Sequence, residues 1–200
     1  NIFIDIVQKK SVLEHGVHLS KPSFLEAFNT LRDAHELPFS ITEEIKGKNT
    51  AIECVRDESL KILFPKRHII RTSYFVSNNF SHELYYHLQR QHKIWFMKYG
   101  SYPGVYKVSD LKHDPLFKHV SIQSSVHDTY DHNVEQFKLY SLKDNVKDKA
   151  KLDLFYAKTP NRDKEVVPDV IECTIDLQVA ALSLLFDAAN LTEYYHALHR

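Results

Sequence analysis

The apolar positions of this chain change period once, decisively, near its end. In the stretch from Val166 to Asn190 (VVPDVIECTIDLQVAALSLLFDAAN), Val170, Glu172 and Thr174 alternate with Ile171, Cys173 and Ile175. Period two is the mark of a strand with a core face. From Leu177 the apolar residues fall at 177, 180, 181, 184, 185 and 188, the stripe of an α-helix, with Asp176 placed to cap it. Burial of six such positions at ~1.5 kcal/mol or more each gives on the order of 10 kcal/mol as an upper figure, so this strand-then-helix unit is expected at the centre of the core.

Elsewhere the pattern predicts helices over Asn1 to Glu14 and over Ser20 to Leu37, the latter opened by Pro22 and ended by Pro38. Ser40 to Lys66 is polar, with a turn at Gly47-Lys48-Asn49 and a weak strand signal only over Ala51 to Val55. Ile69 to Val76 reads as a strand. The longest helix is expected over Ser81 to Tyr99, with Leu84, Leu88, Trp95 and Tyr99 on one face and Gly100 as its stop. Val120 to Val126 and Tyr130 to Leu142 read as further strands. Lys143 to Lys151 alternates in sign and reads as a solvated helix start or loop, Leu152 to Ala157 is an apolar segment of open type, and Thr159 to Lys164 is a polar connection.

Composition narrows the function classes. The chain has 200 residues, 43% hydrophobic and 26% charged, enough for a substantial core. Its 26 basic residues balance 26 acidic ones, so any nucleic-acid contact must come from a local patch or through a partner. No run of about 18 apolar residues predicts a membrane helix. Cys54 and Cys173 are too few and too far apart for a metal site or a disulfide framework. The chain starts at Asn1 and stops at Arg200, which reads as an excised or processed piece, and no Arg-rich, acid-poor leader is visible.

Histidine is frequent, but its spacing fits no metal. His82 and His87 frame a helix resembling that of a zinc protease with one residue too many; five residues apart they diverge by roughly 140°. The pairs His15/His18, His113/His119 and His127/His132 lack a Cys or carboxylate pattern to complete a site. Glycines at 16, 47, 100 and 104 build no phosphate loop, and no Gly-x-Ser-x-Gly elbow occurs. Asp128/Asp131 and Asp144/Asp148 lie in polar stretches where solvated charge is the rule. The aromatic residues can stack bases, but at helical or alternating spacing they belong more often to a core. Lys61, Lys66, Arg67 and Arg71 form the one-signed basic cluster, a candidate for DNA phosphate or partner contact, against which stands an ordinary solvated surface. No cofactor or metal is expected.

Several segments together resemble a known family. They are His87 to Gly104 (HLQRQHKIWFMKYGSYPG), Val166-Val167-Pro168 leading to Asp176-Leu177, Leu182 to Asp187 (LSLLFD), Leu191-Thr192-Glu193, Leu198-His199-Arg200 and, at the start, Ile4 to Leu25 (IDIVQKKSVLEHGVHLSKPSFL). In register from end to end, they resemble the accessory subunits of mitochondrial DNA polymerase gamma, a family similar to class II aminoacyl-tRNA synthetases. The resemblance implies an α+β fold, a mainly antiparallel sheet flanked by helices, over residues 1–200. An anticodon-binding-like domain would follow Arg200. It further implies a non-catalytic processivity role beside the polymerase catalytic subunit on primer-template DNA, in the mitochondrial matrix and nucleoid.

Two departures qualify the synthetase likeness. No Phe is followed by Arg anywhere in the chain, and Val179 stands where the synthetases' last core helix carries an Arg. An aliphatic side chain cannot pair with phosphate as a guanidinium does, so adenylate chemistry is not expected. Leu37-Pro38-Phe39 follows the second helix at once, so the family's dimerising helical insertion is absent and no homodimer is expected. A divergent synthetase-like protein binding nucleotide, and a tRNA-binding module that lost the chemistry, stay open as alternatives.

Overall fold

The computed structural model describes residues 8–9, 19, 21–47, 50–53, 61–64, 67–127, 130–160 and 162–198. Its strands are β1 (Gln8–Lys9), β2 (Phe39–Gly47), β3 (Thr50–Glu53), β4 (Lys61–Phe64), β5 (Arg67–Val76), β6 (Tyr106–Val108), β7 (Lys112–His113), β8 (Lys118–His127), β9 (Tyr130–Ser141), β10 (Ala157–Thr159), β11 (Arg162–Val166) and β12 (Asp169–Asp176). The helices are α1 (Pro22–Ala34), α2 (Asn78–Tyr99), the short α3 (Leu142–Asn145) and α4 (Lys149–Leu152), and α5 (Leu177–Leu198). An eight-stranded sheet in the order β1-β2-β5-β12-β9-β8-β6, with β7 on β8, carries the fold. Every pairing in it is antiparallel except β1 with β2.

β12 lies in the middle, hydrogen-bonded to β5 on one side and β9 on the other. Directly paired residues share a face, so the rows of the sheet follow from register. Phe39, Phe75, Val170 and Tyr140 form one row, and Tyr74, Ile171 and Leu139 form a row on the opposite face. The first face is covered by α1 and the segment from Leu142 to Val167, where Phe24, Phe28, Phe155 and Val167 are buried. Phe28 sits among Phe39, Phe75 and Phe155 at ring-centroid distances of 5.4, 4.7 and 5.2 Å. Such edge-to-face clusters add to area burial. The second face is covered by α2 and α5, with Tyr85, Leu88, Phe96, Phe137, Ile171 and Ala180 buried.

Local chemistry accounts for the helix ends. Pro22 starts α1 without forfeiting a hydrogen bond, and the residue before Pro38 is steered away from helix, so α1 closes at Ala34 with His35 N–H donating to the Leu31 carbonyl at 2.8 Å. Asp176 caps α5: the N–H groups of Gln178 and Val179 donate to its Oδ1, each at 3.1 Å. Gly100 ends α2, its N–H bonded to the Phe96 carbonyl at 2.7 Å. A Cβ there would stand 2.7 Å from the Tyr106 ring and 2.9 Å from Asp187 Oδ2, so only glycine fits.

Several sequence expectations are corrected. The helix expected over Asn1 to Glu14 lies largely outside the described residues; within it, Gln8–Lys9 is a strand paired with Glu43 and Glu44. The polar segment Ser40 to Lys66 contains the nine-residue strand β2 and a β3–β4 hairpin. Its alternation (Phe39, Ile41, Ile45 buried) is interrupted by Glu43, which is buried too because it has a cationic partner. The connection over Thr159 to Lys164 belongs to a β10–β11 hairpin. Between them, Lys143 to Lys151 agrees with the expected helix start or loop: it spans α3, a short connection and the start of α4, where Asp148 accepts from the Ala150 N–H at 3.0 Å. On α2, Trp95 and Tyr99 are exposed, and the inward positions are Ser81, Tyr85, Leu88, Gln89 and Phe96. On α5 the inward positions are Ala180, Ser183 and Asp187, while Leu177 and Leu185 are exposed. Polar residues take the inner face because they bind the turn after α2: Asp187 Oδ2 accepts from the N–H groups of Ser101 and Tyr102 at 2.5 and 3.1 Å, and Ser183 Oγ donates to Tyr106 Oη at 3.2 Å.

Substitution of Phe28 by Ala should lower unfolding free energy by about 3–5 kcal/mol, whereas Leu185→Ser should change it by less than about 0.5 kcal/mol, both read by urea denaturation. The carboxyl of Asp169, which accepts from Ser81 Oγ at 2.8 Å, is held above its ordinary 3.8 chiefly by burial. Its folded form therefore binds a proton at higher pH than its unfolded form, and stability falls as pH rises from 3.8 through the folded value. Asp169→Asn, which keeps the acceptor oxygen, should match or exceed the parent's stability at neutral pH and lose ground to it as the solution is acidified through that window, in denaturation curves taken across pH.

Candidate functional site

The face of the sheet that carries α1 is apolar at one end and polar across its middle. Beside the Phe39–Phe75–Val170–Tyr140 row runs Ile41, Ser73, Glu172, Lys138, His119 and Lys112, then Glu43, Arg71, Thr174, Gln136 and Ser121. A cavity of about 550 Å³ opens above the β6–β8–β9 part, lined by Lys107, Lys112, Phe117, His119, Gln136 and Lys138 among others.

The charges in the middle of this face are engaged with one another. Arg71 donates through Nε and Nη2 to Glu43 Oε2 at 3.2 and 2.8 Å, with side-chain exposures of 2% and 6%. Glu172, one strand over, is buried, and Lys138 stands beside it on β9. Burial lowers the Lys138 pKa, opposed by the charge of Glu172. Burial, reinforced by Glu172, pushes the Tyr140 hydroxyl well above its usual range. Removing one member of such a set leaves an uncompensated charge in a low-dielectric region, so the set persists as a unit.

Of the basic cluster expected from sequence, the side chain of Arg71 alone lies among the residues whose surroundings are described. Arg71 is corrected from a surface cation to a buried one, because Glu43 directly opposite on β2 both neutralises it and satisfies its donors. Lys61 lies on β4 and Arg67 begins β5, while Lys66 falls outside the described residues. Glu43, Glu172, Lys138 and Tyr140 were not singled out by sequence. The available signal was a carboxylate inside an apolar strand, as in Val170-Ile171-Glu172-Cys173, since an unpaired Glu is almost never buried.

The other candidates fall into place. His82 and His87 are exposed on α2, and no group of three His, Cys, Asp or Glu among the described residues could hold a metal ion. His92 and His68 are each paired instead, with Glu135 and Glu44, at 2.8 Å. Of the other histidine pairs, His15 and His18 fall outside the described residues, as does Asp128. Asp144 and Asp148 are exposed. Cys173 is buried and its thiol is pushed well up by burial, which makes it a poor nucleophile. Val179 sits half-buried in the first turn of α5 and brings no charge.

A mainly antiparallel sheet with an open polar face and a central strand running straight into a capped helix has a structural counterpart. Residues of this chain superpose on a prolyl-tRNA synthetase of Giardia lamblia, solved with prolyl-adenylate, with a TM-score of 0.50 at 10% identity over 80% of this chain and 32% of that one. The core has the class II aminoacyl-tRNA synthetase fold. At that identity the likeness concerns the fold alone. No family model matches the sequence. In sequence the chain resembles the DNA polymerase subunit gamma-2, mitochondrial, of Drosophila melanogaster, with 26% identity over 173 residues, 84% of this chain and 45% of the relative. The chain thus spans less than half the length of that relative. A class II fold joined to that sequence likeness agrees with the expected architecture.

The buried pair is open to direct test. Arg71→Met should destabilise the class II core by about 3–5 kcal/mol because it leaves Glu43 buried and unpaired, and Arg71→Met with Glu43→Leu should recover most of that loss in urea denaturation. Equal losses in the single and double variants would remove the pair from its structural role.

Proposed function

We propose that this chain is the class II-like core of a non-catalytic accessory subunit that binds the catalytic subunit of mitochondrial DNA polymerase, strengthens its hold on primer-template DNA and lengthens each run of synthesis. The observation that carries this reading is the sequence likeness to the Drosophila polymerase subunit along 84% of the chain. The mitochondrial matrix and nucleoid are the proposed location on the same ground.

The charge arrangement supports a role without chemistry. Arg71 is committed to Glu43, Lys138 stands against Glu172, and Val179 supplies no cation, so these three positions offer no uncommitted guanidinium or ammonium for a triphosphate. A processivity factor needs none of these. A second protein contact lowers the dissociation rate of polymerase from DNA by linkage alone. Residues 35–38 join α1 directly to β2, which supports one copy per catalytic subunit. Lys61, Lys66 and Arg67 are proposed to meet DNA phosphate or the partner.

Primer extension by the catalytic subunit on a long single-stranded template, at moderate salt, should give longer products per binding event when the chain is added. Charge reversal at Lys66 and Arg67 should shorten them again and flatten the salt dependence. Unchanged product length, with saturable binding of ATP by the chain itself, would replace this reading with a synthetase-like one.

A further inference from the structure

A cavity of about 880 Å³ opens between the end of α1, the first residues of β2 and one flank of α2. That flank lines it with Phe80, Leu84, His87 and Gln91, residues three or four apart and so on one stripe. Phe80 is 40% exposed and Leu84 half-buried, which leaves apolar area of α2 in contact with water. Ser40 lines the cavity from β2, directly opposite Tyr74 of β5. It is 3% exposed, and its Oγ has no hydrogen-bond partner. His92 lines it from α2, its Nδ1 2.8 Å from Oε1 of the buried Glu135. An ionised carboxylate only accepts, so Nδ1 carries the proton and the neutral ring offers Nε2 as an acceptor. Glu36 and Glu83 are exposed members of the lining, which contains no Lys or Arg among the described residues. Arg90 and Lys93 stand about 10 and 15 Å along the α2 axis from Glu83, and Arg32 on α1 is paired with Asp33 at 3.0 Å.

We propose that this cavity binds a small organic amine as its ammonium ion, one charged nitrogen on an apolar body. Leu84, Phe80 and Tyr74 take the body, and the two rings also attract a cation through their faces. The polar groups that remain are mostly acceptors: Glu36, Glu83 and Nε2 of His92. The ligand group that matches them is a donor, and two carboxylates with no cation in the lining make it a positive one. Ser40 Oγ, unfavourable while it has no partner, gains one when a ligand fills the space beside it. A concave volume within the roughly 300–1,000 Å³ of small-ligand sites favours a small molecule over a segment of a partner protein. The proposal is independent of the accessory-subunit reading.

Three probes of matching body separate charge from shape: 2-phenylethylammonium, neutral 2-phenylethanol and the phenylacetate anion. In NMR titrations of the chain the ammonium should bind saturably with a Kd of about 1 mM or below, and phenylacetate on the order of tenfold more weakly. Glu36→Gln with Glu83→Gln should weaken the ammonium about threefold to tenfold and leave 2-phenylethanol unchanged. Ser40→Ala removes a hydroxyl that has no partner, so it should not lower the urea midpoint of the free chain, yet it should weaken the ammonium severalfold. Leu84→Trp, which fills the cavity, should abolish binding of all three, and unchanged circular dichroism would establish that the variants fold. No saturable binding of the ammonium up to about 10 mM, ten times the expected Kd, would overturn the site. So would equal affinity for ammonium and phenylacetate, or binding that survives Leu84→Trp and the double Gln variant alike. Shifts at Leu84 and His87 that appear with the polymerase catalytic subunit and with none of the probes would also overturn it, in favour of a protein contact.

Discussion

The structure depends on the burial of β12 between two neighbouring strands and under two layers of helix. It exchanges hydrogen bonds with β5 and with β9 along almost its whole length, and both of its faces are covered. Val170 joins the core under α1, while Ile171 and Cys173 join the core under α2 and α5. At its buried positions, Val170 to Cys173 and Asp176, the strand leaves no room for water, so each side chain there must be either apolar or compensated. Glu172 and Asp176 meet the condition in different ways. Glu172 stands against Lys138, and Asp176 accepts the first free N–H groups of α5.

That constraint shapes the polar face. Once Glu172 is buried on the central strand, the neighbouring rows must supply cations, and Lys138 and Arg71 lie on the flanking strands β9 and β5. Arg71 in turn needs Glu43 on the next strand outward. The outcome is a chain of opposite charges across β2, β5, β12 and β9 at the middle of an open synthetase-like sheet. Opposite charges so arranged offset one another in a low-dielectric setting. The class II fold by itself assigns no chemistry, because fold and site are separable.

α2 and α5 show how the two surfaces of one helix are assigned. The inner side of α5 is polar because Asp187 and Ser183 hold the Gly100–Tyr102 turn and Tyr106, and the same contacts lock the end of α2 against the sheet. Phe96 is buried and stacks on Tyr106 with ring centroids 5.4 Å apart, while Trp95 and Tyr99 in the last turns of α2 are exposed.

Where local pattern coincides with burial, the sequence alone determined the outcome. The alternation of Val170 to Ile175, the change of period at Asp176, the Pro38 stop of α1 and the Gly100 stop of α2 are all short-range physics, and they appear where expected. The family resemblance likewise lay in the sequence, in segments spread along the chain. Tertiary structure decided what partnership decides. Glu43 breaks the pattern of β2 and hides a strand from inspection, because its burial requires Arg71, 28 residues away. The inward stripe of the aromatic-rich helix α2 differs from Leu84, Leu88, Trp95 and Tyr99: the buried positions are Ser81, Tyr85, Leu88, Gln89 and Phe96, the last stacked on Tyr106 from a distant strand. Leu177 and Leu185 are exposed because the inward face of α5 is the one that carries Asp187 and Ser183 onto the turn after α2 and onto Tyr106.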